Sequence, residues 1–291
     1  MPSNWRYPEQ GIIPAPYHHT MLADKNRCDA FRRAIDRKVA PNHTVFEAGA
    51  GTGILSYFAA QRARQVYAVE ADPEVAALGQ ALIQRNGLGG RVVYRQGLAQ
   101  AELPPEPVDV IVCEMMHVAL AVEQQLPVMN AIHRELAGRY PNHPYAVIPE
   151  AAVNYCQLVQ VDFSYYGFQA PFMKLASPYV ADSTVAPLSP LSRYLDVNFG
   201  LPAEEHIAAS CRLEVDAPGQ LNAIRILTQA VLSLDASLPA PERLIDWYLH
   251  YLLVPLPNPL LVQPGAAFSV ELDYDAGCPL DALKLAVHPA Q

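Results

Sequence analysis

Between Pro41 and Pro104 the chain alternates short apolar runs with longer amphipathic stretches. Thr44 to Ala48 and Gln65 to Glu70 are apolar runs of strand length, and Arg91 to Tyr94 and Val108 to Cys113 read as a third and fourth strand. Ile54 to Arg62 reads as a helix. A second helix takes Asp72 as N-cap and Pro73 as its first residue, carries Val75, Leu78 and Leu82 on one face, and stops at Gly87. Upstream, Leu22 to Val39 is helical, with Leu22, Phe31 and Ile35 available for one face. Strands alternating with helices of this length predict a parallel sheet covered on both sides, an α/β fold.

After Pro149 the periodicity changes. Ala152 to Val161, Cys211 to Val215, Ala223 to Leu234 and Ala267 to Tyr274 are β-rich and are separated by Pro, Gly and Asp turns. The predicted division is therefore residues 1–149, an N-terminal helix plus a Rossmann-like domain, followed by residues 150–291, a β-barrel-like domain.

Composition narrows the partners. Hydrophobic residues make up 51% and charged residues 17%, far from the regime of disordered chains. The 20 Lys and Arg against 29 Asp and Glu give a net charge of -9, which supplies no basic footprint for nucleic acid or an anionic membrane and suits a cationic partner better. Five scattered cysteines, Cys28, Cys113, Cys156, Cys211 and Cys278, show no C-x-x-C spacing, so neither a disulfide framework nor a metal site is expected. Prolines and Glu9 interrupt the N-terminal residues where a signal peptide needs an apolar run, and the expected location is cytoplasmic. The most apolar stretch, Trp247 to Val262, is too short to span a bilayer, carries three prolines, and is assigned to a soluble core.

The first strand runs into Glu47-Ala48-Gly49-Ala50-Gly51-Thr52-Gly53, a strand-to-helix turn at the ligand-binding edge of an open sheet. Its spacing is G-x-G-x-G. A dinucleotide fingerprint needs a glycine at position 54, occupied by Ile54, and the Gly-Lys-Ser/Thr of a P-loop is absent. Small side chains let the backbone approach a flat ligand, and Glu70, ending the second strand, can accept hydrogen bonds from two ribose hydroxyls. A nucleoside without phosphate fits, S-adenosyl-L-methionine above all, and the arrangement resembles a class I methyltransferase.

The fourth strand ends in Glu114-Met115-Met116-His117-Val118-Ala119-Leu120-Ala121-Val122-Glu123, two carboxylates nine residues apart around an apolar stretch. Such carboxylates are partly desolvated and would be stabilised by a buried cation; a guanidinium can meet one with two parallel bonds and the other from a second side. Without such a ligand, Glu114 ends a strand and Glu123 opens a helix from about Leu120 to Leu136.

At this point the chain resembles the protein arginine methyltransferase family. Val45 to Ala60 (VFEAGAGTGILSYFAA) is similar to its glycine turn, and the Glu114–Glu123 separation matches its paired-glutamate loop. His18 to Arg27 resembles its H-x-x-M-L-x-D-x-x-R segment, Ile148-Pro149-Glu150 its link into the barrel, and Asn222 to Ser233 one barrel strand. The resemblance implies that Arg27 pairs with the carboxylate of the cofactor's methionine moiety and that His18 and Met21 pack near its sulfonium. Gly49, Ala50, Gly51 and Gly53 would form the cofactor turn, with Glu70 and Ala71 at the ribose, and Ala99 and Gln100 beside the adenine. Glu114 and Glu123 would be catalytic, with Met21 and Met116 crowding the acceptor nitrogen.

Three departures from the family stand out. The aromatic N-terminal motif has no counterpart, Met115 and His117 replace a Trp and a Gly, and the barrel His-Trp pair aligns with Asp246-Trp247 or, shifted, with His250-Tyr251. On the shifted alignment His250 is the catalytic histidine expected to partner Asp24. Tyr166-Gly167-Phe168 resembles the start of the family's dimerisation arm, implying a homodimer. The function implied is N-methylation of a guanidino-containing substrate, whether protein, peptide or small molecule. The alternatives are methylation of free arginine or another guanidino or amino metabolite, and a weakly active cofactor-binding partner subunit.

Overall fold

The computed structural model describes residues 15–176, 183–245 and 249–290. The described residues open with α1 (Ala15–Ala23) and α2 (Lys25–Lys38), two helices where the sequence suggests one. Asp24 separates them, capping α2 by accepting the Arg27 backbone N–H at 2.9 Å. Phe31 and Ile35 are fully buried on α2, whereas Leu22, expected on the same face, is exposed because it belongs to the other helix.

There follow β1 (Thr44–Ala48), α3 (Ile54–Ala60), β2 (Gln65–Glu70), α4 (Pro73–Arg85), β3 (Val92–Gln96), β4 (Val110–Cys113), α5 (Gln125–Arg139) and β5 (Ala146–Ile148). The five strands form one sheet, all neighbours parallel, in the order β3-β2-β1-β4-β5. All five residues of β1 are buried, as expected of a central strand covered on both faces. β3 returns to β4 through a loop with no helix. On α4 the buried stripe is Val75, Ala76, Gly79 and Ile83, and Leu78 faces outward. Small residues win that face because Tyr94 occupies it: a Cβ on Gly79 would lie 2.4 Å from the Tyr94 hydroxyl.

Pairing changes from parallel to antiparallel between Ile148 and Ala151. The second half comprises β6 (Ala151–Val161), the hairpin β7 (Ser164–Tyr165) and β8 (Phe168–Gln169), then β9 (Lys174–Ala176), β10 (Val185–Pro187), β11 (Ser192–Asn198), β12 (His206–Glu214), β13 (Gly219–Val231), β14 (Leu249–Val262), β15 (Ala267–Asp275) and β16 (Lys284–Pro289). One sheet runs β10-β6-β13-β14-β9, with β11 also along the edge of β6; another runs β12-β15-β16. β15 alternates with period two, burying Phe268, Val270, Leu272 and Tyr274. The most apolar stretch of the chain lies in β14 from Leu249 onward. Its pairing skips from Leu221↔Leu260 to Ala223↔Pro255, and Pro257 and Pro259 fall inside that irregularity, where a missing N–H is tolerated. The core is continuous through both halves, from Phe31 and Val45 to Leu252 and Leu272.

Candidate functional site

At the carboxyl end of the parallel sheet the chain turns sharply after β1. Gly49 and Gly51 have φ of +70° and +56°, a region that side chains with a Cβ rarely adopt. Neither has room for one: a Cβ at Gly49 would lie 2.5 Å from Met115 Sδ, and at Gly51 2.8 Å from the His18 ring. The N–H groups of Gly49 and Ala50 donate to Val69 O at 2.9 Å each, and Tyr94 donates its hydroxyl to Gly51 O at 2.5 Å. Glu70 is set by two backbone donors, Gly51 N to Oε2 and Asp72 N to Oε1, both at 2.9 Å. Each carboxylate oxygen keeps a lone pair for a further donor.

These residues border a cavity of about 270 Å³. His18, Met21 and Arg27 line it from the N-terminal helices, Gly49, Ala50 and Gly51 from the turn, and Glu70 and Ala71 from the end of β2. Ala99 and Gln100 line it from the loop after β3, and Glu114, Met115 and Glu123 from the loop after β4. The cavity thus gathers nearly all the residues singled out in the sequence, with three exceptions. Gly53 is not in the lining; it caps α3 with φ +79° and packs towards Ile83 and Tyr94, so its part is to shape the turn. Met116 is buried in the core, and Met115 faces the cavity in its stead. His250 lies near the start of β14, where its side chain is outside the described residues, as are Asp246 and Trp247.

Charge is concentrated around Arg27, Glu114, Glu123 and Glu47. Arg27 is buried over the Phe31 ring at 5.4 Å and forms an ion pair with Glu114, whose side chain is 7% exposed. Burial opposes the charge of Arg27, but the Glu114 carboxylate beside it outweighs burial and holds its pKa above the ordinary value. Its Nη1 is buried and has no hydrogen-bond partner among the described residues, so one donor remains for an anionic group. Glu123 is pushed well above the usual carboxylate range by burial and by the charge of Glu114, with Arg27 pulling the other way. Glu47, read in the sequence only as the start of the glycine turn, borders the same cavity. Burial raises its pKa to about 8 although it accepts the Ser56 hydroxyl.

The loop carrying the two glutamates departs from the helix suggested for Leu120 onward. Val118–Leu120 is a single 3₁₀ turn, α5 starts only at Gln125, and Ala119, Leu120 and Val122 all have positive φ, of 62°, 54° and 64°. Contacts with the second half hold this shape: Ala119 N donates to Thr228 Oγ1 at 2.7 Å, Gly277 N to Leu120 O at 2.8 Å, and Val122 N to Cys278 O at 2.8 Å. Gln125, buried, donates to Cys113 O and accepts from Met115 N, both at 2.8 Å, bracketing Glu114. Gln125 and Gly277, an isolated glutamine and a glycine far along the chain, carry no local sequence signal of the loop they support.

The site fits S-adenosylmethionine on its own features: a glycine turn that excludes a Cβ, a carboxylate with free acceptor capacity, and a buried guanidinium nitrogen left for a carboxylate. Among the described residues no group of His, Cys, Asp or Glu could hold a metal, and no helix is long and apolar enough to cross a membrane.

Comparison with known proteins agrees with this geometry. Residues 45–138 match the model of a methyltransferase domain. An uncharacterized protein of Methanothermobacter thermautotrophicus is 29% identical over 279 residues, covering 94% of this chain and 97% of that protein. Protein arginine N-methyltransferase 6 of Xenopus laevis is 41% identical over 114 residues, 38% of this chain and 33% of the relative. Among solved structures, the Trypanosoma brucei PRMT1 enzyme–prozyme heterotetrameric complex with AdoHcy superposes with a TM-score of 0.74 at 18% identity, covering 96% of this chain and 94% of that one. Residues 45–138 thus carry a methyltransferase domain, and the chain as a whole has the fold of that PRMT1 structure.

Proposed function

We propose that the protein transfers the methyl group of S-adenosylmethionine to a guanidinium nitrogen of an arginine-type acceptor in a protein, a peptide or a small molecule. The observation that carries this reading is that Glu114 and Glu123 line the same cavity as the glycine turn and Glu70. When bound, the cofactor supplies an electrophilic methyl group on a sulfonium. Glu70 would hold the ribose hydroxyls with Ala71 beside it, Arg27 Nη1 the carboxylate, Ala99 and Gln100 the adenine end, and His18 and Met21 the sulfonium end. His250 is the candidate histidine of the second half.

A guanidinium beside a sulfonium brings two cations together. At about 4 Å and an effective dielectric near 20 the repulsion is roughly 4 kcal/mol. Two carboxylates offset it and fix the nucleophilic nitrogen on the line of attack. Arg27 holds one Glu114 oxygen, which orients that carboxylate and leaves its other oxygen for the acceptor. Glu123, once the entering guanidinium has ionised it, is the group suited to take the proton that the nitrogen loses. The five cysteines are free thiols, which suits a reducing compartment such as the cytoplasm.

The test is single-turnover transfer from labelled cofactor to a panel of guanidino compounds and arginine-containing peptides, read by mass spectrometry. Glu123→Gln is expected to bind cofactor like the parent and to lose transfer by about a hundredfold or more, since a few kcal/mol at about 1.4 kcal/mol per tenfold is removed. Glu114→Gln should lose at least as much, with some weakening of cofactor binding through Arg27. Transfer to peptides but not to free arginine separates the protein substrate from the metabolite; no turnover on any acceptor favours a partner subunit. Parental rates in both variants would end the guanidinium reading.

A further inference from the structure

Away from the cavity, two thiols on different sheets face one another. Cys156 on β6 is fully buried, Cys211 on β12 is partly exposed, and their sulfurs lie 2.8 Å apart across 55 residues of sequence. A disulfide bond is about 2.05 Å long, so bonding asks the sulfurs to close by only about 0.8 Å. β6 and β12 share no backbone pairing; β6 pairs with β10, β11 and β13, and β12 with β15. The sulfur contact is therefore made by side chains that meet between the sheets, beside Tyr194 and Tyr274, whose hydroxyls are 3.0 Å apart. Two of the other three thiols face other groups: Cys113 the Gln125 amide oxygen at 3.5 Å, and Cys28 the carbonyls of Met21 and Leu22.

We propose that Cys156 and Cys211 are a site of reversible disulfide formation, oxidised by a peroxide, that staples the two β-sheets to each other. The roles of the two sulfurs differ. Cys211 is the one solvent reaches, and hydrogen bonds from the Cys156 thiol and from Ser192 lower its pKa, whereas the bond it donates and its burial raise that of Cys156. The Cys211 thiolate attacks one peroxide oxygen; the O–O bond breaks, hydroxide leaves and takes up a proton, and Cys211 becomes a sulfenic acid. The Cys156 sulfur then attacks the sulfenic sulfur. The S–S bond forms, the S–O bond breaks, and the oxygen departs as water with the Cys156 proton. Two thiols lose two electrons and one peroxide yields two waters.

The staple also bears on the loop of the two glutamates. β12 pairs with β15 along its whole length, and the turn after β15 supplies Gly277 and Cys278, which grip Leu120 and Val122.

The test uses the full chain, treated with hydrogen peroxide, alkylated and mapped by mass spectrometry. A peptide cross-linking Cys156 to Cys211 is expected, with the thermal midpoint raised by roughly 5–10 °C, as closure of a loop of this length implies, and restored by dithiothreitol. Cys211→Ala should show neither the cross-link nor the shift. Should that variant fail to fold, the parent map alone decides. Both thiols still alkylated after peroxide, Cys211 ending as a sulfinic acid without a cross-link, a cross-link to another cysteine, or a cross-link with an unchanged midpoint would each overturn the proposal.

Discussion

Two carboxyl groups in one cavity are pushed towards their neutral forms, and the reason differs between them. Glu47 is raised to about 8 by burial, against the pull of Ser56, while Glu123 is raised by burial and by the charge of Glu114. An entering guanidinium reverses the balance at Glu123, because it stabilises the ionised form it touches. Acceptor binding at neutral pH is therefore expected to release a proton and to tighten as pH rises. Calorimetry in two buffers of different ionisation enthalpy reads this directly; the release should vanish in Glu123→Gln, and its persistence there would place the proton elsewhere. Glu47 acts on stability instead. Its folded pKa lies above the ordinary value of 4.5, so its favourable contribution is complete below about 4.5 and is lost as pH climbs to about 8. Urea unfolding of parent and Glu47→Gln between pH 5 and 8 should show the parent losing more stability with rising pH than the variant. Parallel curves would mean that Glu47 titrates normally.

At the scale of elements, the loop between β4 and α5 stores strain and is held by tertiary contacts. Ala119, Leu120 and Val122, three non-glycine residues with positive φ in one short loop, cost of order 1–3 kcal/mol each. Gln125 is a positioning residue here: its amide clasps the peptide groups on either side of Glu114. Gln125→Leu leaves a buried donor and acceptor unmet, at about 1–3 kcal/mol. It should lower kcat by roughly ten- to a hundredfold while cofactor affinity stays near parental. A proportional fall in both would show a merely structural role. The two glutamates were legible because a carboxylate set in an apolar run loses hydration and calls for a counter-charge. The loop's course was not, since the partners that impose it, Thr228, Gly277 and Cys278, lie more than a hundred residues on. The face of α4 failed for the same reason: leucines at helical spacing promised a stripe, but Tyr94, from the next strand, gave that side to Gly79. Strand positions in the first half were legible because central parallel strands are uninterrupted apolar runs, as in β1.

For the molecule as a whole, one surface feature has no partner within the described residues. The β7–β8 hairpin turns at Tyr166 and Gly167 and presents Tyr166 at 109%, Phe168 at 72% and Phe172 at 56% exposure, with the Tyr165 and Phe172 rings stacked at 6.3 Å. Tyr166-Gly167-Phe168 at this hairpin is the stretch that resembles the start of a dimerisation arm; residues 177–182 beyond it lie outside the described residues. A two-fold pair would seat each hairpin on the other copy. An aromatic side chain buries about 150–250 Å², so three per copy, counted on both copies, give roughly 900–1,500 Å² and reach the range of a specific interface, near 1,200 Å². We expect the protein to be a dimer whose arm braces the partner's methyltransferase half, and the combined Tyr166→Ser and Phe168→Ser substitutions to yield a monomer with reduced transfer. Both positions are exposed, so the change should leave the thermal midpoint of the separated chain nearly unmoved. Light scattering across a hundredfold range of concentration decides it, and a parent that stays monomeric throughout would leave the aromatic hairpin as a surface loop with no part in assembly.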